Sequence, residues 1–251
     1  MLLMLLMLLM LSMSSIQRAS TSQPQRYGTV TTAICVVFGV VYLVECYVGG
    51  GALWDISPQV LIGLGGNLSI LSLGQGQYWR LFVSALLHGG LLHVAFNTYA
   101  MLIIGSAIEK KLNAGWTVGA FVFSGMIGSL LSAYASRANV VAIGASGGIV
   151  GLVAMAAALS YLAPRLVWFS RNVLVQWLVF SVVIGLVPGV DFWGHIGGIA
   201  GGALCALVAA ACKRQPEVVR KIGLVVGAVG LIVAAGSVLL AVQSVLALLS
   251  N

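Results

Sequence analysis

The sequence predicts an all-α membrane protein, a polytopic bundle of helices, and three observations support this fold class. Of its 251 residues, 61% are hydrophobic and only 7% are charged, whereas about a quarter of the residues in a soluble domain are charged. The apolar residues form seven segments close to the roughly 20 residues that a spanning helix needs. Lys and Arg residues cluster between these segments. We therefore expect one membrane-embedded domain.

The predicted spans are joined by short loops except after the first one. They cover residues 30–48, 91–107, 116–135, 143–162, 173–187, 192–211 and 222–249. The connection of residues 49–87 is too polar to cross, and its apolar clusters predict that it lies on the membrane interface or dips into it. We divide the chain into an N-terminal segment (1–29), a core of six helices (30–212), and a basic loop with a seventh helix (213–251).

The orientation follows from the basic residues, because cytoplasmic loops carry an excess of Lys and Arg. Only Arg80 and Arg137 lie on one side of the seven spans, and ten lie on the other. This ratio predicts a cytoplasmic N-terminus and a C-terminus outside. The net charge of +7 therefore reflects topology and indicates no nucleic-acid partner. The ten are Arg18, Arg26, Lys110, Lys111, Arg165, Arg171, Lys213, Arg214, Arg220 and Lys221.

The first 13 residues form a low-complexity apolar run, MLLMLLMLLMLSM. It is too short to span, and no basic residue precedes it as in a signal peptide. We expect either an extended start, with Met13 as the more ordinary one, or an interfacial stub.

Polar residues with matching chemistry stand at the starts of three predicted helices. His88, His93 and Asn97 lie at the start of the second span, Ser146 at the start of the fourth, and His195 at the start of the sixth. These even-numbered helices run from outside to inside, so their starts share the outer face. Polar side chains inside a bilayer usually face the bundle interior. Serine with histidine is the pairing of a nucleophile with a general base.

A second pair of polar residues, His93 and Asn97, could stabilise negative charge that develops during a reaction. His93 and Asn97 are four residues apart, on one helical face. Both could donate hydrogen bonds to a developing oxyanion, and the backbone N–H groups at Ser146, at the positive end of a helix, could complete that hole.

Glycines bracket Ser146 and His195 at a spacing of four. Gly147 and Gly151 lie on the fourth span, and Gly194, Gly198 and Gly202 lie on the sixth. Small residues at this spacing let helix backbones approach closely. The pattern is also typical of ordinary membrane-helix packing.

Four motifs in order resemble the rhomboid intramembrane serine proteases. They are the pair Trp79 and Arg80, then HGGLLHVAFN (88–97), GASG (144–147) and GHIGG (194–198). The resemblance implies a six-helix rhomboid-like core plus a C-terminal seventh helix. It implies that Ser146 is the nucleophile, that His195 is the general base and acid, and that His93 and Asn97 complete the oxyanion hole. It implies structural support from Glu109, Trp79 and Arg80, and we expect the same role for Gly144 and for the five glycines that bracket Ser146 and His195.

The implied function is that of a serine endopeptidase. Such an enzyme would cleave transmembrane segments of other membrane proteins, single-pass or otherwise, near the outer face of the lipid bilayer through an acyl-enzyme. It would need no cofactor and no metal. Short loops and the absence of an Arg-rich, Ser-rich presequence favour a bacterial inner membrane.

Two positions near the implied dyad leave questions open. Val150 stands where certain rhomboid members have a tyrosine that stacks on the histidine, so the sequence does not say what orients the His195 ring. Asp191 is the only acidic residue near His195. We expect it in the outer loop, solvated, and therefore predict a dyad rather than a triad.

Other interpretations stay open at this point. Ser146 could be a packing serine among glycines, and His88, His93 and His195 could form a zinc site, although no H-E-x-x-H motif is present. A polytopic transporter is opposed by the scarcity of charges inside the spans, apart from Glu45. A non-proteolytic relative that binds membrane clients would lack the serine or the histidine, and both are present here.

Overall fold

The computed structural model describes residues 27–136, 140–167 and 169–249. This part of the chain is helical apart from its loops and two strands of two residues each, so the all-α prediction is confirmed. In chain order the elements are α1 Thr29–Val48, α2 Pro58–Leu64, β1 Asn67–Leu68, a π-helical turn Ile70–Gly74, α3 Arg80–Val83, a 3₁₀ turn Ser84–Leu86, α4 Leu91–Lys111, α5 Ala114–Ala135, β2 Val141–Ala142, α6 Ser146–Leu162, a 3₁₀ turn Pro164–Leu166, α7 Arg171–Gly185, α8 Phe192–Ala211 and α9 Pro216–Leu249.

Each of the seven predicted spans contains a helix. Five helices within the described ranges, α1, α4, α5, α8 and α9, are long and apolar enough to cross a membrane. The other two, α6 and α7, have 17 and 15 residues, so that all seven cross the membrane stays a prediction. The apolar run at the N-terminus, together with Arg18, Arg26 and Arg137, lies outside the described residues.

Two helices begin several residues away from the starts of the predicted apolar spans. The fourth helix begins at Ser146 rather than at residue 143, because Val141–Ala142 pairs with β1 and Gly144 has a φ of +112°, which a helix does not allow. The seventh begins at Pro216 rather than at residue 222. Proline is well suited to the first turn of a helix, where its missing N–H costs nothing.

The start of α1 is capped by a side chain from another helix. Its own N-cap residue, Gly28, has no side chain, and the carboxylate of Glu109 at the end of α4 takes that role. Glu109 accepts hydrogen bonds from the backbone N–H of Val30 (3.0 Å), the N–H of Thr31 (2.8 Å) and the Thr31 hydroxyl (2.7 Å). A carboxylate also interacts favourably with the positive end of the helix dipole. Glu109 therefore joins the end of α4 to the beginning of α1.

Arg80 holds the long connection between α1 and α4 in a defined shape. Its buried guanidinium donates to the carbonyls of Ile62 (2.7 Å) and Gly66 (3.1 Å) and to the side chain of Gln77 (2.6 Å). It lies over the ring of Trp79, 4.6 Å from the ring centroid. Since each of these contacts joins a different part of the connection, Arg80 fixes a folded platform beside the helices.

The antiparallel pair β1 and β2 attaches this platform to the loop before α6. Asn67 is paired with Ala142, and Leu68 with Val141. The Asn67 side chain also donates to the carbonyl of Ser129 on α5 (2.8 Å).

Helix α5 is the centre of the bundle, because α6, α8 and α9 all pack against it. The contact with α9 includes two hydrogen bonds to backbone carbonyls: Trp116 Nε1 donates to Val219 (2.9 Å) and Asn113 Nδ2 to Arg220 (2.9 Å). Gly115 and Gly227 meet backbone to backbone in the same interface. The seventh helix is therefore packed closely against the core, and the division at residue 213 stays a prediction.

We predict that replacing Glu109 by Ala lowers the apparent midpoint of thermal unfolding in detergent. The change leaves the partly buried N–H groups of Val30 and Thr31 without their acceptor, and a fully buried unsatisfied group would cost roughly 1–3 kcal/mol. Glu217→Ala is the matched control, since that carboxylate is exposed and pairs with Arg220 alone among the described residues, and exposed ion pairs contribute little. Equal midpoints for the two variants would contradict this account of Glu109.

Candidate functional site

Ser146 and His195 meet at the starts of two helices. Ser146 is the first residue of α6, and His195 lies in the first turn of α8. The Ser146 Oγ and His195 Nε2 atoms are 3.1 Å apart, within hydrogen-bonding distance. His195 is 3% exposed, whereas Ser146 is half-buried. A hydroxyl is thus in contact with a basic ring nitrogen and remains accessible from one end of the bundle.

Backbone contacts between glycines allow this approach. Gly198 faces the carbonyl of Gly147, and Gly202 faces the carbonyl of Gly151, so closely that neither position has room for a Cβ atom. A Cβ at Gly147 would lie 3.2 Å from the carbonyl oxygen of Gly194, which is also tight. The structure thus brings together all five glycines that the sequence places beside Ser146 and His195. Their close contact sets the distance between the two side chains.

The site lies below the end of the bundle. Gly128 of α5 packs against the backbone of Gly194, next to His195. Seven residues of α5 follow Gly128 before the helix ends at Ala135. With a rise of 1.5 Å per residue, these seven residues extend roughly 10 Å beyond the site. Ser146 and His195 are therefore recessed among the helices.

A backbone carbonyl orients the His195 ring, which sequence reasoning left open. The Nδ1–H group of His195 donates to the carbonyl oxygen of Ser181 on α7 (2.7 Å). Because a carbonyl can only accept, this contact assigns the proton to Nδ1 and leaves a lone pair on Nε2, towards Ser146. No side-chain pattern could have revealed this partner, since every residue has a carbonyl.

The expectation that Asp191 is a solvated loop residue was wrong. Asp191 is half-buried, and its Oδ1 accepts hydrogen bonds from the N–H of Gly194 (2.9 Å) and from the hydroxyl of Ser132 (2.8 Å). The first four N–H groups of a helix need partners, and Asp191 supplies one as the N-cap of α8. It therefore connects α8 to α5. The group that contacts Nδ1 of His195, where a triad has its acid, is the backbone carbonyl of Ser181.

His93 and Asn97 reach the turn that precedes Ser146. A Cβ at Gly144 would lie 2.6 Å from Nε2 of His93 and 3.7 Å from Nδ2 of Asn97. Gly144 has a φ of +112°, so both the backbone conformation and the close histidine require glycine there. Asn97 is 7% exposed, and its Nδ2 has no hydrogen-bond partner within the described part of the chain. Unsatisfied buried donors are rare in native proteins.

A small polar cavity adjoins Ser146. It has about 10 Å³ of space for the centre of a water molecule, close to the minimum for one water. Two further hydroxyls, those of Ser84 and Ser129, lie 3.4 Å apart in its lining, and Asp191 is also part of the wall.

His88 and Glu45 are the buried polar residues whose place sequence reasoning did not resolve. Both are 0% exposed. The ring of His88 lies against that of His93, with centroids 5.1 Å apart, and His195 belongs to the serine contact. Among residues 27–136, 140–167 and 169–249, no three His, Cys, Asp or Glu side chains are grouped as metal ligands.

Comparison with known proteins gives consistent matches. A family profile described as Rhomboid domain matches residues 75–212. The chain is 32% identical to rhomboid protease GluP of Bacillus subtilis over 180 residues, which cover 68% of this chain and 35% of that protein. It is 34% identical to RHOMBOID-like protein 4 of Arabidopsis thaliana over 57% of this chain and 37% of that one. It is 30% identical to rhomboid protease AarA of Providencia stuartii over 61% of this chain and 63% of that protein. The chain thus spans only about a third of the first two relatives.

We predict that Gly198→Ala destabilises the protein by roughly 1–3 kcal/mol, the usual cost of overpacking, because the new methyl group would push α8 away from α6. The measurement is the apparent midpoint of thermal unfolding in detergent. Gly39→Ala is the control, since a Cβ there meets nothing within 4 Å and alanine favours a helix. An unchanged midpoint for Gly198→Ala would show that the two helices do not depend on this contact.

Proposed function

The chain belongs to the rhomboid family, as its motifs predicted and as the domain match over more than half of its length shows, and on that premise we propose that it is a serine endopeptidase of other membrane proteins. It is an integral multi-pass membrane protein. The observation that carries the proposal is the 3.1 Å contact between Ser146 Oγ and a His195 ring whose other nitrogen donates to Ser181. This arrangement presents a hydroxyl to an unprotonated nitrogen, the requirement for a general base.

In the proposed acylation step, Nε2 of His195 takes the hydroxyl proton as Ser146 Oγ attacks the carbonyl carbon of a peptide bond. The Nδ1–H bond to Ser181 keeps the ring in place while it becomes an imidazolium. The same ring then gives its proton to the nitrogen of the leaving amine, and the carbon–nitrogen bond breaks. The product is an ester between the substrate carbonyl and Ser146.

The negative charge of the tetrahedral intermediate would fall near Gly144. Asn97 Nδ2, which has no partner among the described residues, and His93 are the side-chain donors that converge there. The backbone N–H of Ser146 is the third, because the first N–H groups of α6 have no partner within their helix. Donors fixed in a buried site stabilise charge more than donors in water.

Hydrolysis of the ester needs one water molecule and the same base. Water would enter from the open end of the site, where Ser146 is half-buried, and the small cavity beside it offers room for one. His195 takes a proton from this water as it attacks the ester and returns a proton to Ser146. Apart from the substrate and water, only side chains and backbone groups of this chain take part, so the proposed reaction needs no metal or cofactor.

The recessed position supports a substrate that is itself in the membrane. A site roughly 10 Å below the end of α5 would lie within the bilayer, at the depth of a substrate's transmembrane segment. The ten-to-two distribution of basic residues supports an orientation in which the starts of α4, α6 and α8 lie on the outer face. We propose cleavage near that face, with a cytoplasmic N-terminus and a bacterial inner membrane as the host.

We predict that Ser146→Ala and His195→Ala each reduce proteolysis of a reconstituted single-pass substrate by a factor on the order of 10³ or more, since nucleophile and base act as one unit. Ser160→Ala is the control for Ser146, because Ser160 lies at the other end of α6 and its hydroxyl donates to the carbonyl of Ala157 in the same helix, far from His195. It should cleave at close to the wild-type rate.

Thermal unfolding separates lost chemistry from lost structure in these variants. A folded Ser146→Ala protein that still cleaves would reject the proposed nucleophile. A folded wild-type protein that cleaves no transmembrane substrate but binds one would favour the client-binding alternative.

We predict a graded loss for Asn97→Ala. Removing one oxyanion donor costs about 100-fold to 1,000-fold in kcat when the site is fully engaged. We expect a loss at or below that range, because His93 and the backbone N–H remain. KM should change little, since the bond strengthens only as charge develops. If kcat is unchanged, or if the variant does not fold, Asn97 is a packing amide.

The topology gives a separate prediction. A reporter fused after Asn251 should lie outside, and one inserted between Lys213 and Lys221 should lie inside, as scored by paired periplasmic and cytoplasmic reporter enzymes. Finding both on the same side would show that α9 does not cross the membrane.

A further inference from the structure

Glu45 is a carboxyl group inside the apolar helix α1, and the proposed mechanism does not use it. Its side chain is 0% exposed. Burial of an ionisable group in a transmembrane helix is costly, and such residues usually have a function. Glu109 acts as a helix cap, whereas Glu45 lies near the opposite end of α1.

The carboxyl group of Glu45 binds the segment that leads into α4. Its Oε1 accepts a hydrogen bond from the backbone N–H of His88 (2.9 Å). The His88 ring is held in turn, because its Nδ1–H donates to the carbonyl of Leu86 (3.1 Å). His88 is 0% exposed, so without Glu45 its N–H would be a buried donor with no acceptor.

The fixed ring of His88 lies directly against His93. The two ring centroids are 5.1 Å apart, and the planes meet at 75° in an edge-to-face arrangement. The His88 ring also lies near the ring of Phe38, likewise on α1, with centroids 5.3 Å apart. Helix α1 therefore contacts His88 through both Glu45 and Phe38, and His88 contacts the proposed oxyanion donor.

We propose that Glu45 is a positioning residue that sets the place of His93 through His88. The proposal rests on the proposed function, in which His93 donates to the oxyanion. A small displacement of a donor greatly reduces its value in catalysis. In this arrangement α1, which supplies no reacting group, determines the geometry of the oxyanion hole.

The test compares two replacements of similar size. Glu45→Gln keeps an oxygen that can accept from the His88 N–H, whereas Glu45→Met fills the same space without an acceptor. We expect Glu45→Met to lower kcat by roughly tenfold, with KM changed less than about twofold because ground-state binding does not use the oxyanion hole. Glu45→Gln should retain at least half of the wild-type kcat. Equal losses in the two variants, or none in Glu45→Met, would overturn the proposal.

A double-mutant cycle with His93→Ala separates positioning from general destabilisation. If Glu45 acts through His93, then Glu45→Met should cause no further loss in the His93→Ala protein. Tyr42→Phe is the control, because Tyr42 lies one turn before Glu45 and bonds to the carbonyl of Leu53 rather than to His88. Its effect should be the same in both backgrounds. A full tenfold loss from Glu45→Met in the His93→Ala background would show that Glu45 acts elsewhere.

A second pair of variants replaces this comparison if Glu45→Met does not fold. His88→Phe keeps an aromatic ring against His93, and His88→Ala removes it. We expect a roughly tenfold lower kcat for His88→Ala, absent in the His93→Ala background, and a smaller loss for His88→Phe. Equal rates for the two His88 variants would overturn the proposal. Failure of the proposed function itself is a different result: Ser146→Ala would then cleave as well as the wild type.

Discussion

The close approach of α6 and α8 is the constraint on which the rest of the structure depends. Backbone meets backbone where Gly147 and Gly151 face Gly198 and Gly202, and no other residue type permits that distance. Without a hydrophobic effect between helices in lipid, tight contact of this kind is a main source of their association. The same contact brings Ser146 within 3.1 Å of His195. Packing and proposed chemistry therefore have one geometric cause.

Several polar groups near this contact have a defined task in the described structure. Asp191 caps α8 and holds Ser132, and the carbonyl of Ser181 fixes the histidine tautomer. Farther away, Glu109 caps the start of α1, and Arg80 donates hydrogen bonds that hold the platform together. Buried polar groups are expensive in a membrane unless they are paired. Several of the buried polar groups in the described structure are paired at helix ends, in the platform or at the site.

The sequence was informative where a side chain or its spacing carries the signal. Two signals predicted that the site residues share one face: glycines four residues apart, and the positions of Ser146, His195 and the pair His93 and Asn97 at three helix starts.

Sequence reasoning failed where a side chain's hydrogen-bond partner is a backbone group, or where a loop conformation decides the structure. The Ser181 carbonyl has no sequence signature, and the positive φ of Gly144, which delays the start of α6, depends on the strand pair before it. Asp191 was misplaced because its position relative to the N-terminus of α8 was treated as loop rather than as cap. Glu45 did carry a signal, an acid in an apolar helix, but its partner lies 43 residues away.

The central claim is that His195 activates Ser146 as a nucleophile, and site-specific labelling tests it most directly. The purified protein in detergent is treated with a fluorophosphonate, and the modified residue is located by mass spectrometry of proteolytic peptides. The account predicts a covalent adduct on Ser146 in the wild type, and labelling slower by orders of magnitude in folded His195→Ala. An adduct on another residue, no adduct at all, or equal labelling rates in the two proteins would contradict it.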